Sequence, residues 1–381
     1  MLRKMILLLI GLLLAGGQVN QAEMQSADIC HSQIAVRGYN ADNSDSSGLY
    51  LYDSTTQQVN HVAKSLFVTE IIGWTENGMK LIIMGGPYDA FRGTDWSQED
   101  VQFSIYDVSS DSVTTPSDGG VMDVVYTADG QYFALRYMKN PGVVDIVDAS
   151  GKIILDDLPA RVAARYNASS FYIDSGIYTD EDIIDLYVLN PRDLSRDEES
   201  ALEFKNFGPE PSFVIGAPDG LRWVLSFWDG SSMVYDITLP LIVNEEWSGR
   251  EGFPVTTLPW GDQQYAYWSP DSLQLAYQED AADTGDRLIQ IFTLPEATTR
   301  TLRTTGANAL PDDPNWLLGW SADGTGVLYS TVSGMEKGGT NLYLQPLDGS
   351  RAQPLLTTVS DQIGIQFFGT PDSVAWSPCQ D

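Results

Sequence analysis

The chain has 381 residues, of which 43% are hydrophobic and 11% aromatic, so it is long enough to bury a large apolar core. Its formal net charge at pH 7 is −31, from 52 acidic and 21 basic residues. A field of that sign repels nucleic acids and anionic membrane surfaces, which bind clustered Lys and Arg, so we expect neither as a partner. It suits a plain soluble surface, a cationic partner or calcium.

The first residues have the pattern of a targeting segment. Arg3 and Lys4 precede the apolar run Met5–Leu14, and small residues follow it. This run is shorter than the roughly 20 residues that span a bilayer as a helix. We therefore predict a signal peptide over residues 1–22, and export of residues 23–381 to the periplasm or the extracellular space with no membrane span after cleavage. An uncleaved anchor is the alternative.

A five-residue motif recurs along the chain at steps of 40 to 56 residues. Its members are WTENG from Trp74, YTADG from Tyr126, YNASS from Tyr166, GAPDG from Gly216, WSPDS from Trp268, WSADG from Trp320 and WSPCQ from Trp376. Asn-Gly or Asp-Gly in four members predicts a two-residue hairpin turn, because such turns need positive φ. We expect the repeated aromatic residues to pack between neighbouring units and the repeated Asp residues to serve the turns.

A second series has the same number of members. Seven apolar strands end at Asp53, Asp107, Asp148, Asn190, Asp236, Thr293 and Gln345. A period of roughly 50 residues with about four strands is the signature of propeller blades. We therefore predict an all-β fold, a seven-bladed β-propeller formed by a single domain over residues 23–381, and we expect a monomer.

The seventh unit needs both ends of the chain. The motif at Trp376 runs off the C-terminus, and the missing strands are available at Gln33–Arg37, Leu49–Asp53 and Val59–Ala63. We predict that the last blade combines these N-terminal strands with the C-terminal strand Ser373–Trp376. The two cysteines, Cys30 and Cys379, flank these segments, so we predict a disulfide that closes the ring in an oxidising compartment. Two free thiols are the alternative.

The long connections of the predicted blades fall on one side of the ring. They are residues 87–100, 174–183, 278–287 and 333–340 between second and third strands, and 244–262 and 303–315 between blades. We name this side the long-loop face and the opposite side the short-turn face. Variable loops on a rigid scaffold tend to carry binding residues. The predicted binding residues are therefore the Trp and acidic residues of these loops: Asp95, Trp96, Asp100, Glu245, Trp247, Trp260, Asp312, Asp313 and Trp316. The alternative is that these Trp residues pack over blade edges.

Few residues of the chain are suited to catalysis. Only two histidines are present, His31 and His61, both in the closing strands, and no G-x-S-x-G or phosphate-binding loop occurs. We predict no catalytic residue and no metal site, although a pair of carboxylates among so many remains an alternative. Calcium is the one cofactor kept as an alternative, at Asp42–Asp45 or Asp280–Asp286, neither of which fits an EF-hand.

The motifs themselves resemble a known family. WSPDSLQLAY, WSADGTGVLYS, YTADGQYFALRY and LYLQPLDGS are similar to the repeat of the TolB-like, WD-repeat-like β-propellers over about residues 30–379. The resemblance is weakest at Tyr166 and Gly216. It implies a platform that binds proteins or ligands, and no catalytic residue of the family maps onto this sequence. The separate α/β domain of TolB has no counterpart here, so its role is not carried over.

These observations predict an exported, non-catalytic propeller that binds a protein or small ligand through the long-loop face. The alternative is a carboxylate-based hydrolase or lyase that acts on carbohydrate or peptide.

Overall fold

The fold was analysed on a computed structural model of the chain. The described residues form thirty strands and one short 3₁₀ helix. The structure describes residues 33–40, 43–87, 97–159, 163–167, 169–174, 184–204, 211–227, 232–236, 250–251, 253–258, 266–280, 287–294, 296–302, 316–333, 339–356, 365–367 and 373–378.

Seven antiparallel sheets of four main strands follow one another around a ring. Blade 1 contains β4 (Leu66–Trp74), β5 (Lys80–Pro87), β6 (Gln102–Asp107) and β7 (Ser112–Thr114). Blade 2 contains β8 (Val121–Tyr126), β9 (Tyr132–Tyr137), β10 (Asn140–Asp148) and β11 (Ile153–Pro159). Blade 3 contains β12 (Ala163–Asn167), β13 (Ser170–Asp174), β14 (Ile184–Asn190) and β15 (Ser195–Phe204).

The next three blades repeat this order. Blade 4 contains β16 (Pro211–Gly216), β17 (Arg222–Phe227), β18 (Ser232–Asp236) and β20 (Phe253–Leu258). Blade 5 contains β21 (Tyr267–Trp268), β22 (Gln274–Asp280), β23 (Arg287–Thr293) and β24 (Thr298–Leu302). Blade 6 contains β25 (Trp316–Trp320), β26 (Gly326–Ser333), β27 (Gly339–Pro346) and β28 (Gln353–Leu356). Most of the first strands contact the first strand of a neighbouring blade, as β12 contacts β8 and β16, so these strands line the centre of the ring.

The closing blade joins the two ends of the chain, as the sequence predicts. It contains β1 (Gln33–Asn40), β2 (Asn43–Asp53), β3 (Gln58–Val62), β29 (Ile365–Phe367) and β30 (Val374–Trp376). β30 pairs with β1, with Val36 opposite Val374 and Ile34 opposite Trp376. The sequence does not predict β29, which pairs with the far end of β1 and divides the innermost strand into two pieces.

The repeated motif builds the same turn in several blades. In blade 6, the Ser321 hydroxyl donates to the Asp323 carboxylate (2.6 Å) and accepts from the Gly326 N–H (3.0 Å). Thr127 of blade 2 and Ser269 of blade 5 make equivalent bonds, each 2.6 Å from its Asp. The prediction that the repeated Asp serves the turns is therefore confirmed.

The predicted type of turn is wrong. The Ser321 N–H donates to the Gly326 carbonyl, which closes the hairpin around four residues instead of two. Positive φ falls on the glycine, 69° at Gly324 and 64° at Gly130. The Asp side chain bonds the preceding hydroxyl, and this bond favours the longer turn over the two-residue type that the Asp-Gly pair alone predicts.

Three of the repeated aromatic residues each connect their blade to the one before it. The indole N–H groups of Trp74, Trp268 and Trp320 donate to the carbonyls of Ala375, Ile215 and Tyr267, at 3.1, 3.3 and 2.7 Å. The apolar core likewise lies between blades: one cluster combines Ile289 and Ile291 of blade 5 with Leu317 and Tyr329 of blade 6. Packing between blades, as predicted for these residues, is confirmed.

Candidate functional site

Asp100 lies on the long-loop face, in the connection between β5 and β6. It ends the 3₁₀ helix Gln98–Asp100, and its carboxylate accepts the Ser97 N–H at 2.7 Å in a capping box. The carbonyl of Glu99 sits against the next inter-blade connection, where a Cβ on Gly119 would lie only 2.7 Å away. Asp100 is exposed but its carboxylate is already engaged, so its first role is to hold this loop.

Trp316 begins β25 and is half-buried, with its ring against a core cluster that includes Leu318 and Val36. It pairs in register with Ser330, which is fully buried. The alternative that this Trp packs over a blade edge is therefore correct for part of its surface.

Several buried polar residues lie in the strands of blades 5 and 6. They are Gln278, Gln290, Ser330, Thr331 and Asn341, all at most 6% exposed. The Gln290 amide donates to Glu279 (2.6 Å), and the Thr301 hydroxyl donates to the Gln290 carbonyl (2.9 Å). The Thr331 hydroxyl has no hydrogen-bond partner within the described part of the chain. Burial of an unpaired polar group costs free energy, so the buried Thr331 hydroxyl calls for a reason beyond packing.

The other predicted binding residues lie outside the described residues: Asp95, Trp96, Glu245, Trp247, Trp260, Asp312 and Asp313. Cys30 and Cys379 lie outside them as well, and so do His31 and the stretch 281–286 of the calcium alternative. The roles assigned to these residues stay predictions.

The connection that carries Glu245 and Trp247 differs from the prediction. The fourth strand of blade 4 is β20, at Phe253–Leu258, so residues 237–252 join the third and fourth strands and do not join two blades. This segment also contributes β19 (Arg250–Glu251), which pairs in parallel with β15 of blade 3. A connection of this kind leaves and re-enters its blade at the short-turn face, so the reason for placing these two residues on the long-loop face no longer holds.

A central channel opens at the short-turn face, with a volume of about 680 Å³. It is lined by the ends of innermost strands, with aromatic residues at Tyr126, Tyr267, Trp268, Trp320 and Trp376 and aliphatic residues at Ile72, Val124, Val125 and Ile215. The lining that the structure describes includes no charged side chain. The sequence analysis did not predict this cavity, although the alignment of the aromatic motif would have located its rim.

The carboxyl groups whose pKa values are shifted belong to turns. The Ser109 hydroxyl and the Ser110 N–H lower the pKa of Asp107. Burial alone would raise the pKa of Asp323, but bonds from Ser321 and Thr325 outweigh it and the pKa is lowered. These carboxylates are held in the charged form to stabilise loops.

His61 is the one histidine that the structure describes, and it lies in β3, as predicted. It stacks on Tyr50 at 4.6 Å, and its Nε2 has no hydrogen-bond partner among the described residues. Burial, with a smaller contribution from Lys64, lowers the pKa of His61. His61 is therefore a packed residue of the closing blade.

Within the described ranges, no group of three His, Cys, Asp or Glu residues is placed to hold a metal ion. None of the helices found there is long and apolar enough to cross a bilayer.

No protein-family model and no curated protein matches the sequence. Solved structures do match. An oligogalacturonate lyase from Vibrio parahaemolyticus is 13% identical with a TM-score of 0.52, over 83% of this chain and 91% of that one. An oligogalacturonate lyase in complex with manganese is 12% identical with a TM-score of 0.50, over 83% and 92%. TolB from Acinetobacter baumannii is 15% identical with a TM-score of 0.45, over 95% and 86%.

The fold is a seven-bladed β-propeller. The resemblance of the sequence motifs to TolB-like propellers agrees with this fold, and at these identities the likeness to the solved structures concerns the fold alone.

Proposed function

We propose that this propeller is an exported, non-catalytic binding protein that holds a protein or ligand at its long-loop face. The observation that carries the proposal is the fully buried Thr331 hydroxyl of blade 6, which has no hydrogen-bond partner among the described residues and lies two residues from the long-loop end of β26. Elsewhere the interior between blades is largely apolar, as in the cluster of Ile82, Phe103 and Phe133 between blades 1 and 2.

Thr331 is fully buried and its hydroxyl lacks a partner among the described residues. An unsatisfied buried hydroxyl costs roughly 1–3 kcal/mol, and a bound partner or a loop that closes over it would recover part of that. A rigid ring with variable connections on one side is the arrangement on which binding sites are commonly built.

The charge of the chain favours a basic partner. With a net charge of −31, the protein attracts cationic surfaces over long distances, and this attraction weakens as salt is added. Export is supported by the apolar run Met5–Leu14 behind Arg3 and Lys4.

The test is affinity capture from envelope extract with three baits. One is the wild type, one carries D95K, D312K and D313K in the long loops, and one carries E76K, D156K and E296K. The three acids of the last bait are exposed and lie away from the long-loop face. Each variant replaces three acids by lysine, so the two variants have the same net charge. We expect a partner that the wild type and the second variant retain and the loop variant loses. Equal retention by all three baits would contradict the proposal.

The alternative, a carboxylate-based hydrolase or lyase, is tested with the same proteins. Turnover of acidic or neutral oligosaccharides or of peptides by the wild type, lost in the loop variant, would replace the binding function with an enzymatic one.

A further inference from the structure

Two methionines give the long-loop end of blade 2 an exposed apolar surface. In the part of the chain that the structure describes, six large hydrophobic side chains are exposed. Four of them lie at the short-turn face, each on a different blade: Met79, Ile153, Leu194 and Leu273. The other two, Met122 (46% exposed) and Met138 (39% exposed), lie on one blade at one face. Single exposed apolar residues need no explanation, whereas neighbouring ones indicate a contact surface.

The backbone brings the two methionines together. The pairing of β8 with β9 skips Met122, which is therefore an extra residue, a β-bulge, in β8. The Met138 N–H donates to the Gly120 carbonyl at 2.9 Å, so the turn after β9 lies beside the start of β8. The bulges at the same end of blades 1 and 4 carry the polar residues Thr69 and Ser212. Bulges re-aim side chains and are common beside functional sites, and only blade 2 of these three presents a methionine there.

The capped 3₁₀ helix of blade 1 borders this surface. The carbonyl of Glu99, in the middle of that helix, would lie 2.7 Å from a Cβ on Gly119, in the connection that leads into β8. Blade 2 itself connects β9 to β10 through residues 138–139 alone, whereas blade 1 uses residues 88–101. The methionines therefore lie next to an element that is held in place.

Carboxylates lie beside the methionines, on the side of blade 1. Burial raises the pKa of Tyr137, and the carboxylates of Asp145 and Asp118 raise it further, so both lie close to this ring. Asp118 and Glu99 are exposed to solvent. Asp100 adds a further exposed carboxylate in the same helix.

The basic residues here are fewer than the acids. Arg136 pairs with Asp123 at 2.8 Å, which balances one carboxylate. The Lys139 ammonium lies 5.5 Å from the centre of the Tyr137 ring. Negative charge therefore remains in excess at this end of blade 2, from the side chains that form the surface itself.

These features together decide the kind of partner. Methionine side chains are flexible and polarizable, so they adapt to apolar side chains of different shapes. The local excess of carboxylates attracts Lys and Arg and repels nucleic acids and anionic lipids. A small ligand binds best where it is enclosed, but both methionines are exposed.

We propose that the long-loop end of blade 2 docks a polypeptide segment in which an apolar side chain is flanked by Lys or Arg. The apolar side chain packs against Met122 and Met138, and the basic side chains face Asp118 and Glu99. This inference rests on the binding function proposed for the long-loop face and names its partner as a protein. It does not use the Thr331 hydroxyl, which belongs to blade 6.

The test begins with selection of random short peptides displayed on phage, with the chain without its predicted signal peptide as the target. We expect the enriched peptides to combine an aromatic or aliphatic residue with neighbouring Lys or Arg. The most enriched peptide is then synthesised, and its affinity is measured by calorimetric titration. Replacing its basic residues by Gln, or its apolar residue by Ser, should weaken binding, and added salt should weaken the original peptide more than the Gln version.

Two double variants of equal composition locate the apolar contact. M122Q with M138Q keeps the length of both side chains and removes their apolar surface, so it should weaken the synthesised peptide at least about fivefold. M79Q with L273Q changes two exposed apolar residues of the short-turn face and should leave the affinity unchanged. If the first pair does not fold, M138Q alone is compared with M79Q alone, and only M138Q should weaken the peptide.

A second set of variants tests the charges. E99Q with D118N removes two exposed carboxylates of the surface, so it should weaken the peptide about two- to tenfold and reduce its dependence on salt. E76Q with E296Q removes the same charge from exposed residues at the short-turn face and is the matched control.

Any of three results would overturn the proposal. The first is that no peptide is enriched above background. The second is that the enriched peptides lack the combination of apolar and basic residues. The third is equal affinity of the synthesised peptide for the two methionine-face and short-turn-face double variants, which would place it elsewhere on the protein. The proposed function fails by a separate result, equal retention by all three baits of the capture experiment.

Discussion

The two faces of this propeller differ in how their connections are stabilised. At the short-turn face, a hydroxyl and a carboxylate close the turns of blades 2, 5 and 6 with nearly the same distances. At the long-loop face, blade 2 crosses between Tyr137 and Asn140 in a tight turn, while blade 1 uses residues 88–101 and a capped 3₁₀ helix. The repeated face maintains the ring, which leaves the other face free to vary.

The predicted disulfide should have the largest effect on the repeated scaffold. The Ser377 N–H donates to the Gln33 carbonyl at 2.9 Å. This bond joins the segment that leads to Cys379 to the segment that follows Cys30. In the chain-entropy model, a bridge across such a loop contributes roughly 5–6 kcal/mol. We expect reduction, or the C30S variant, to lower the midpoint of urea unfolding strongly. Peptide mapping without reductant that finds both thiols free would contradict the bridge.

The next largest effect should come from an indole that joins two blades. Trp320 is 7% exposed and donates to Tyr267 of blade 5. W320A should reduce the free energy of unfolding by about 3–5 kcal/mol, because it leaves a cavity and an unpaired carbonyl. I153A, at a residue 56% exposed, is the control and should change it by less than about 0.5 kcal/mol. Similar losses in both variants would show that the aromatic motif does not hold the blades together.

Two glycines of the turns separate backbone strain from contact between blades. An added Cβ at Gly324 (φ 69°) would make only an ordinary contact with Pro270 at 3.5 Å, so G324A should cost about 1 kcal/mol. At Gly130 (φ 64°) the added Cβ would meet Thr75 of blade 1 at 2.3 Å, so G130A should cost more, about 2 kcal/mol or above. Equal losses in chemical denaturation would mean that the turns of neighbouring blades do not pack closely.

The smallest effect should be a pH dependence at the closing blade. The pKa of His61 is lowered in the folded state, so the folded protein binds fewer protons than the unfolded chain. Stability is then complete above the unfolded value of about 6.5 and falls as the pH drops below it.

Unfolding measured between pH 7 and pH 5 should show this slope in the wild type, and H61Q should reduce it. The lowered pKa values of Asp107 and Asp323 act in a separate window, because stability from them is lost only as the pH falls below about 4. An identical slope in H61Q would assign the effect to other groups.

Much of the ring follows from local sequence. The aromatic motif marks the innermost strands, and the chain ends pair as predicted because the motif at Trp376 lacks its partner strand until Ile34 and Val36 supply it. The turn aspartates also behave as expected, since Asx-type bonds form within a few residues of the chain.

Blade 4 shows where local patterns fail. The apolar run 239–243 is more hydrophobic than Phe253–Leu258, and each contains a proline, yet the latter is the fourth strand. Its place is decided by pairing with β18, where Val234 lies opposite Thr256. The sequence does not predict the channel for a related reason, because the burial of an aromatic side chain depends on neighbours from other blades. The Trp320 indole N–H donates to a carbonyl of blade 5, whereas the Trp376 indole N–H has no partner among the described residues.

The most direct test of the binding account is hydrogen exchange of the whole chain with and without the partner recovered by capture. We predict slower exchange on the long-loop face, in residues 97–101, 278–280, 316–317 and 330–333. Exchange in the turns at 75–80, 127–132, 269–274 and 321–326 should not change. Protection confined to those turns, with none beside Trp316, would contradict the account and place the partner on the short-turn face.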